Sequence, residues 1–159
     1  MASRPLTITV GVIALAASFT AVAEDGLCKP LRKFISSTRP NETHVLKFHT
    51  SWGANFKDEA KDDDEFVFWA KRCEHGDYDP AKAVCDYLME YGMTEFSGNN
   101  AKAAISCLSK SRFATGMQIN AISISITVGT ENRGSLVDVE FAEDTSVGGM
   151  VLSITADGY

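Results

Sequence analysis

Three histidines and four cysteines are the side chains of this 159-residue chain best suited to chemistry, and their spacing limits what they can do. Cys73-Glu74-His75 sets two metal-ligand types side by side. A structural zinc site takes about four ligands, and no second pair stands at finger spacing. His44 and His49 fall on one predicted strand at odd separation, so they point to opposite faces and cannot share an ion. Asp58, Glu59, Asp62, Asp63, Asp64 and Glu65 are dense in carboxylate oxygen, but the D-x-[DN]-x-[DN]-G calcium loop is missing. No metal and no cofactor is expected.

Nucleophilic catalysis has little to build on. There is no G-x-S-x-G elbow. Gly148-Gly149 sits at a predicted hairpin turn, not at the strand-to-helix loop that cradles phosphate. What remains is a histidine, His49 or His75, meeting carboxylates in space, as in a small secreted hydrolase. Spacing alone assigns no residue a catalytic role.

The cysteines belong with the first 23 residues. Arg4 supplies a positive start, Leu6 to Ala17 is mostly apolar, and Ala21-Val22-Ala23 offers the small residues of a signal-peptidase site before Glu24-Asp25. That pattern predicts a cleaved signal peptide over 1–23 and one disulfide-bonded domain over 24–159, secreted or periplasmic, with no stable membrane anchoring after cleavage. Cys28, Cys73, Cys85 and Cys107 then make two disulfides, which leaves no thiolate nucleophile. Cys85 and Cys107 lie at the edges of two predicted neighbouring helices, so the expected pairs are Cys85–Cys107 and Cys28–Cys73.

Periodicity supplies the elements that position these residues. Residues 24–43 carry Pro30 and Pro40 and read as an extended arm with one helical turn near Leu31 to Ile35. Asn41-Glu42-Thr43 within it matches a glycosylation acceptor. His44 to Trp52 alternates as a strand, with Leu46, Phe48 and Thr50 on one face. Phe66, Trp69, Ala70 and Cys73 follow helical spacing behind the acidic run Asp62 to Glu65, which would cap the helix dipole. Asp79-Pro80 opens a second helix that Gly92 closes. A third ends near Lys110, with Phe96, Ala104, Ile105 and Leu108 inward. The period then changes. Ile122 to Val128, Val137 to Phe141 and Met150 to Ala156 each alternate apolar with polar, with Ile124 central to the buried face and Ser125 in water. The expected fold is α+β: an antiparallel meander of about four strands with about three helices on one face, stapled by disulfides.

Charge and aromatic residues bear on function. With 15 Lys and Arg against 21 Asp and Glu, the formal net charge is −6. That argues against nucleic acid or anionic lipid and suits a basic partner. Trp69, Tyr87 and Tyr91 fall on the predicted apolar helical faces, which leaves Trp52 and Tyr78 as the candidate interaction residues. The expected function is a non-enzymatic exported binding protein, an inhibitor or immunity-type partner of another exported protein. The hydrolase is the alternative.

Overall fold

The computed structural model describes residues 22–59 and 67–159. The expected signal peptide falls outside them except for its last two residues, as does the acidic run Asp62 to Glu65 with Phe66. Along the described residues the order is α1 (Val22–Ser37), β1 (Thr43–Trp52), β2 (Trp69–Glu74), α2 (Asp79–Tyr91), α3 (Gly98–Ser109), β3 (Ile122–Thr130), β4 (Arg133–Glu143) and β5 (Met150–Gly158). The strands form one antiparallel sheet in the order β2-β1-β5-β4-β3. Three helices pack on one face of it, an α+β fold with five strands rather than about four.

The alternating segments pair as their period dictates. Leu46 on β1 faces Ile154 on β5, which faces Val139 on β4, and all three are fully buried. The helices lay Leu27, Leu31, Phe34, Val84, Leu88, Ala101, Ala104 and Ile105 onto this stripe. The intervening residues Ser123, Ser125, Thr127, Leu136 and Glu140 point to the opposite face and are exposed. Gly149, at φ 105° in the β4–β5 turn, lies where a Cβ would meet the Thr50 carbonyl oxygen at 2.3 Å. Only glycine fits both the conformation and the approach.

Four expectations are corrected. Residues 24–43 are not an extended arm, because α1 runs through Pro30 to Ser37. Leu27, Leu31, Phe34 and Ile35 form a helical stripe, and its burial outweighs the hydrogen bond Pro30 removes. Gly26 lets α1 approach Tyr87 of α2. Trp69 to Cys73 is not the end of a helix. It belongs to β2, whose ladder with β1 runs from Lys47↔Glu74 to Trp52↔Trp69. Trp69 and Cys73, four residues apart, share a face in a helix and in a strand alike, and pairing to β1 selects the strand. Phe96 lies exposed in the α2–α3 connection rather than inward.

The fourth correction is the disulfide pairing. The bridges are Cys28–Cys107, with Cα atoms 5.0 Å apart, and Cys73–Cys85, at 5.5 Å. All four cysteines are bridged, but α1 packs against both α2 and α3, so Cys107 meets α1. Cys85, on the flank of α2 that covers β2, meets Cys73.

Candidate interaction surface

Trp52 ends β1 and Trp69 begins β2, and they are the last partners of that ladder. Both lie on the helix side of the sheet, in line with Phe48 and Cys73, at the end that α2 leaves uncovered. They are 55 % and 54 % exposed, so more than half of each residue's surface meets solvent. Burial of Trp69 in the core was expected from helical spacing. As a strand residue at the sheet's corner it is left outside.

The surroundings of the pair are apolar and held by backbone contacts. Gly53 donates its N–H to the carbonyl of exposed Phe68, tying the ends of the two strands together. Lys71 stands 5.5 Å over the Trp69 ring and donates to the Met89 carbonyl at 3.1 Å, which brings the exposed end of α2 to the same corner. Contact with the ring and the helix desolvates the Lys71 ammonium and lowers its pKa. Met93, exposed just after α2, is fixed by Asn100, which accepts its N–H at 2.9 Å and donates to its carbonyl at 2.8 Å. Beyond it a groove of about 480 Å³ opens between Phe96, Ile119, Phe141, Glu143 and Met150. Met150 is the register partner of Thr50, two residues from Trp52.

Tyr78, the other candidate, is built into the fold. It is half-buried immediately before α2, stacked on His44 at 3.5 Å between ring centres and edge-on to Phe34 at 5.9 Å. Its hydroxyl is buried with no hydrogen-bond partner among the described residues. Tyr91 is exposed and lies against Tyr87 at 4.9 Å.

The histidines separate as the strand period requires. His44 packs on Tyr78 on the helix side, while His49 projects from the other face of β1. There the segment 53–59 folds over it, with Phe56 fully buried and edge-on to the imidazole at 6.3 Å. His49 is 3 % exposed. Its Nε2 lies 3.3 Å from Glu74 Oε1 and its Nδ1 3.7 Å from Asp144 Oδ2, ion-pair distances without hydrogen-bond alignment. Arg72, the register partner of His49, stacks on Phe56 at 4.8 Å and donates to Asp58 at 2.8 Å. Burial holds the His49 pKa below its ordinary value, with Glu74 opposing. The Ser146 hydroxyl bond holds Asp144 below the carboxylate range. The cluster is a histidine with two carboxylates and a guanidinium, capped by a phenyl ring and with no aligned nucleophile. Sequence spacing pointed to His49 with carboxylates as a possibility, but only the register of β1 with β2 brings Glu74 to it. His75 lies in the β2–α2 connection, with a buried Nδ1 that has no partner among the described residues.

No group of three or more histidine, cysteine or acidic side chains among the described residues is arranged to hold a metal ion. No helix among them is long and apolar enough to cross a membrane. Compared with known proteins, the chain matches no family model, no curated protein and no solved structure.

Proposed function

We propose that the protein is an exported, non-enzymatic binding protein that engages another exported protein of basic charge through Trp52 and Trp69. The observation that carries this reading is the exposure of both tryptophans as directly opposed partners at one corner of the sheet. Tryptophan is enriched among residues that dominate protein interfaces, and an open indole face also attracts lysine and arginine. The net charge of −6 favours approach of a basic surface. Two disulfides and the leader pattern of residues 1–23 favour an oxidising compartment, secreted or periplasmic.

The test is capture of partners from the periplasm or medium of the exporting cell by the wild type and by Trp52→Ala/Trp69→Ala. A basic exported protein held by the wild type and lost by the variant supports the reading. Equal capture by both overturns it.

A His/carboxylate hydrolase is the second reading, favoured by the position of His49 between Glu74 and Asp144. Phe56 and the burial of the imidazole weigh against substrate reaching it. Turnover of an ester, peptide or glycan that His49→Gln abolishes in a folded protein would establish the hydrolase and displace the binder.

A further inference from the structure

We propose that the protein pairs with a second copy of itself along β3, continuing the sheet across a two-fold axis. Among the described residues β3 is one edge of the sheet and ladders with β4 alone. Among the described residues no backbone hydrogen bond reaches its outer side. Alternate N–H and C=O groups along it therefore stand unpaired, a template for another strand.

Sheet edges are ordinarily guarded by charge, proline, a bulge or shortness. The opposite edge follows this rule: β2 has six residues, and Lys71, Arg72 and Glu74 are among them. β3 has nine residues, with no charge and no proline. Its register to β4 is unbroken from Ile122↔Phe141 to Thr130↔Arg133. The uncharged stretch reaches from Phe113 to Thr130 in a chain that is 23 % charged.

The apolar side of the strand is also incompletely covered. Ile122, Ile124, Ile126 and Val128 are half-buried, whereas Val137, Val139 and Phe141 opposite them are buried. A second copy adds strand and helices on that same side and extends the cover.

The strand itself selects a second copy as the occupant. A two-fold axis normal to the sheet sets two identical edge strands antiparallel, as every pair in this sheet already is. A register centred on Ser125 keeps the faces and sets Ile124 against Ile126 and Ser123 against Thr127. No acidic residue lies between Phe96 and Thr130, so the net negative charge of the two copies is not concentrated at the join. A strand edge buries less than the ~1,200 Å² of a stable complex, which makes the pair reversible. The Trp52–Trp69 corner lies at the far edge of the sheet and stays open in both copies.

Sedimentation velocity of the disulfide-intact protein from micromolar to millimolar concentration tests this without any partner. The expected result is a concentration-dependent shift from monomer to dimer. Ser125→Lys/Thr127→Lys, on the exposed polar face, sets like charges across the join and should remain monomeric, with near-ultraviolet circular dichroism reporting its fold. Trp69→Lys, at the other edge, should dimerise like the wild type. Hydrogen exchange of the wild type should show protection of residues 122–130 rising with concentration. A monomer at every concentration, a dimer that survives both lysines, or β3 amides whose protection ignores concentration would overturn the proposal.

Discussion

Trp52 and Trp69 face each other at the last register position between β1 and β2, and each leaves more than half its surface in water. They are the only tryptophans in the chain, so its tryptophan fluorescence reports on this corner alone. Emission should resemble solvated indole, acrylamide should quench it, and a bound partner should shift it to the blue and protect it. Replacing either by alanine should weaken partner binding by about 2 kcal/mol, roughly thirtyfold. It should lower folding stability by up to about 1 kcal/mol, as loss of a cross-strand aromatic pair does. Buried-type emission in the free protein would contradict the exposed corner.

The two disulfides should differ in weight. Cys28–Cys107 spans 79 residues and Cys73–Cys85 spans 12. On the chain-entropy relation their removal costs about 4.5 and about 3 kcal/mol respectively. Thermal or urea unfolding of Cys28→Ala/Cys107→Ala and Cys73→Ala/Cys85→Ala should rank in that order. Peptide mapping without reduction that recovers a Cys85–Cys107 linked pair would show a different helix arrangement.

His49 should make the fold acid-sensitive near neutrality. It faces Glu74 and Arg72 from β2, Asp144 from the β4–β5 turn and Lys47 on its own strand. Burial lowers its folded pKa below the ordinary 6.5, so on acidification the unfolded chain takes up the proton first. Stability therefore falls as pH drops through the ordinary imidazole range, and this loss levels off once the folded form is protonated too. His49→Gln should flatten that limb in unfolding measured from pH 7 to 5. The loss from Asp144 and Glu42, both held below the carboxylate range, comes at lower pH and should persist in the variant. Identical slopes for wild type and variant across the upper window would remove His49 from this role.

Substitutions on β3 and β4 should grade by face and by neighbour. Val139 is fully buried between Ile124 and Ile154, so Val139→Asp buries an unpaired charge and should cost several kcal/mol. Ile124, half-buried at the edge, should lose less on the same change. Ser125 is exposed but not indifferent, because its hydroxyl donates to Asp138 opposite. Ser125→Asp sets like charges face to face and should cost up to about 1 kcal/mol, whereas Ser125→Ala should cost less. Thermal denaturation of the four variants gives the order.

Much of the fold is legible in local sequence. The strict alternation of Ile122 to Val128, Val137 to Phe141 and Met150 to Ala156 can be satisfied only by strands with one buried face, and short turns between them impose antiparallel neighbours. Asp79-Pro80 opens α2 for a reason contained in the chain itself, a proline accepted in the first helical turn, whereas Gly92 ends it in extended conformation where a Cβ would meet the ring of Phe48 on β1. The even count of cysteines implied bridges but not their partners. Local sequence was silent where two periods or two partners competed. Leu27, Leu31, Phe34 and Ile35 carry a helical stripe, yet Pro30 reads as a breaker until α2 and α3 are there to bury it. Trp69 and Cys73 share a face in a helix and in a strand alike, and only the hydrogen bonds of this segment to β1 decide between them. That one long-range pairing sets Trp69 beside Trp52, carries Cys73 to Cys85 and brings Glu74 to His49. Spacing along a chain governs which face a residue shares, whereas contact across a sheet depends on which strands the whole core can afford to pair.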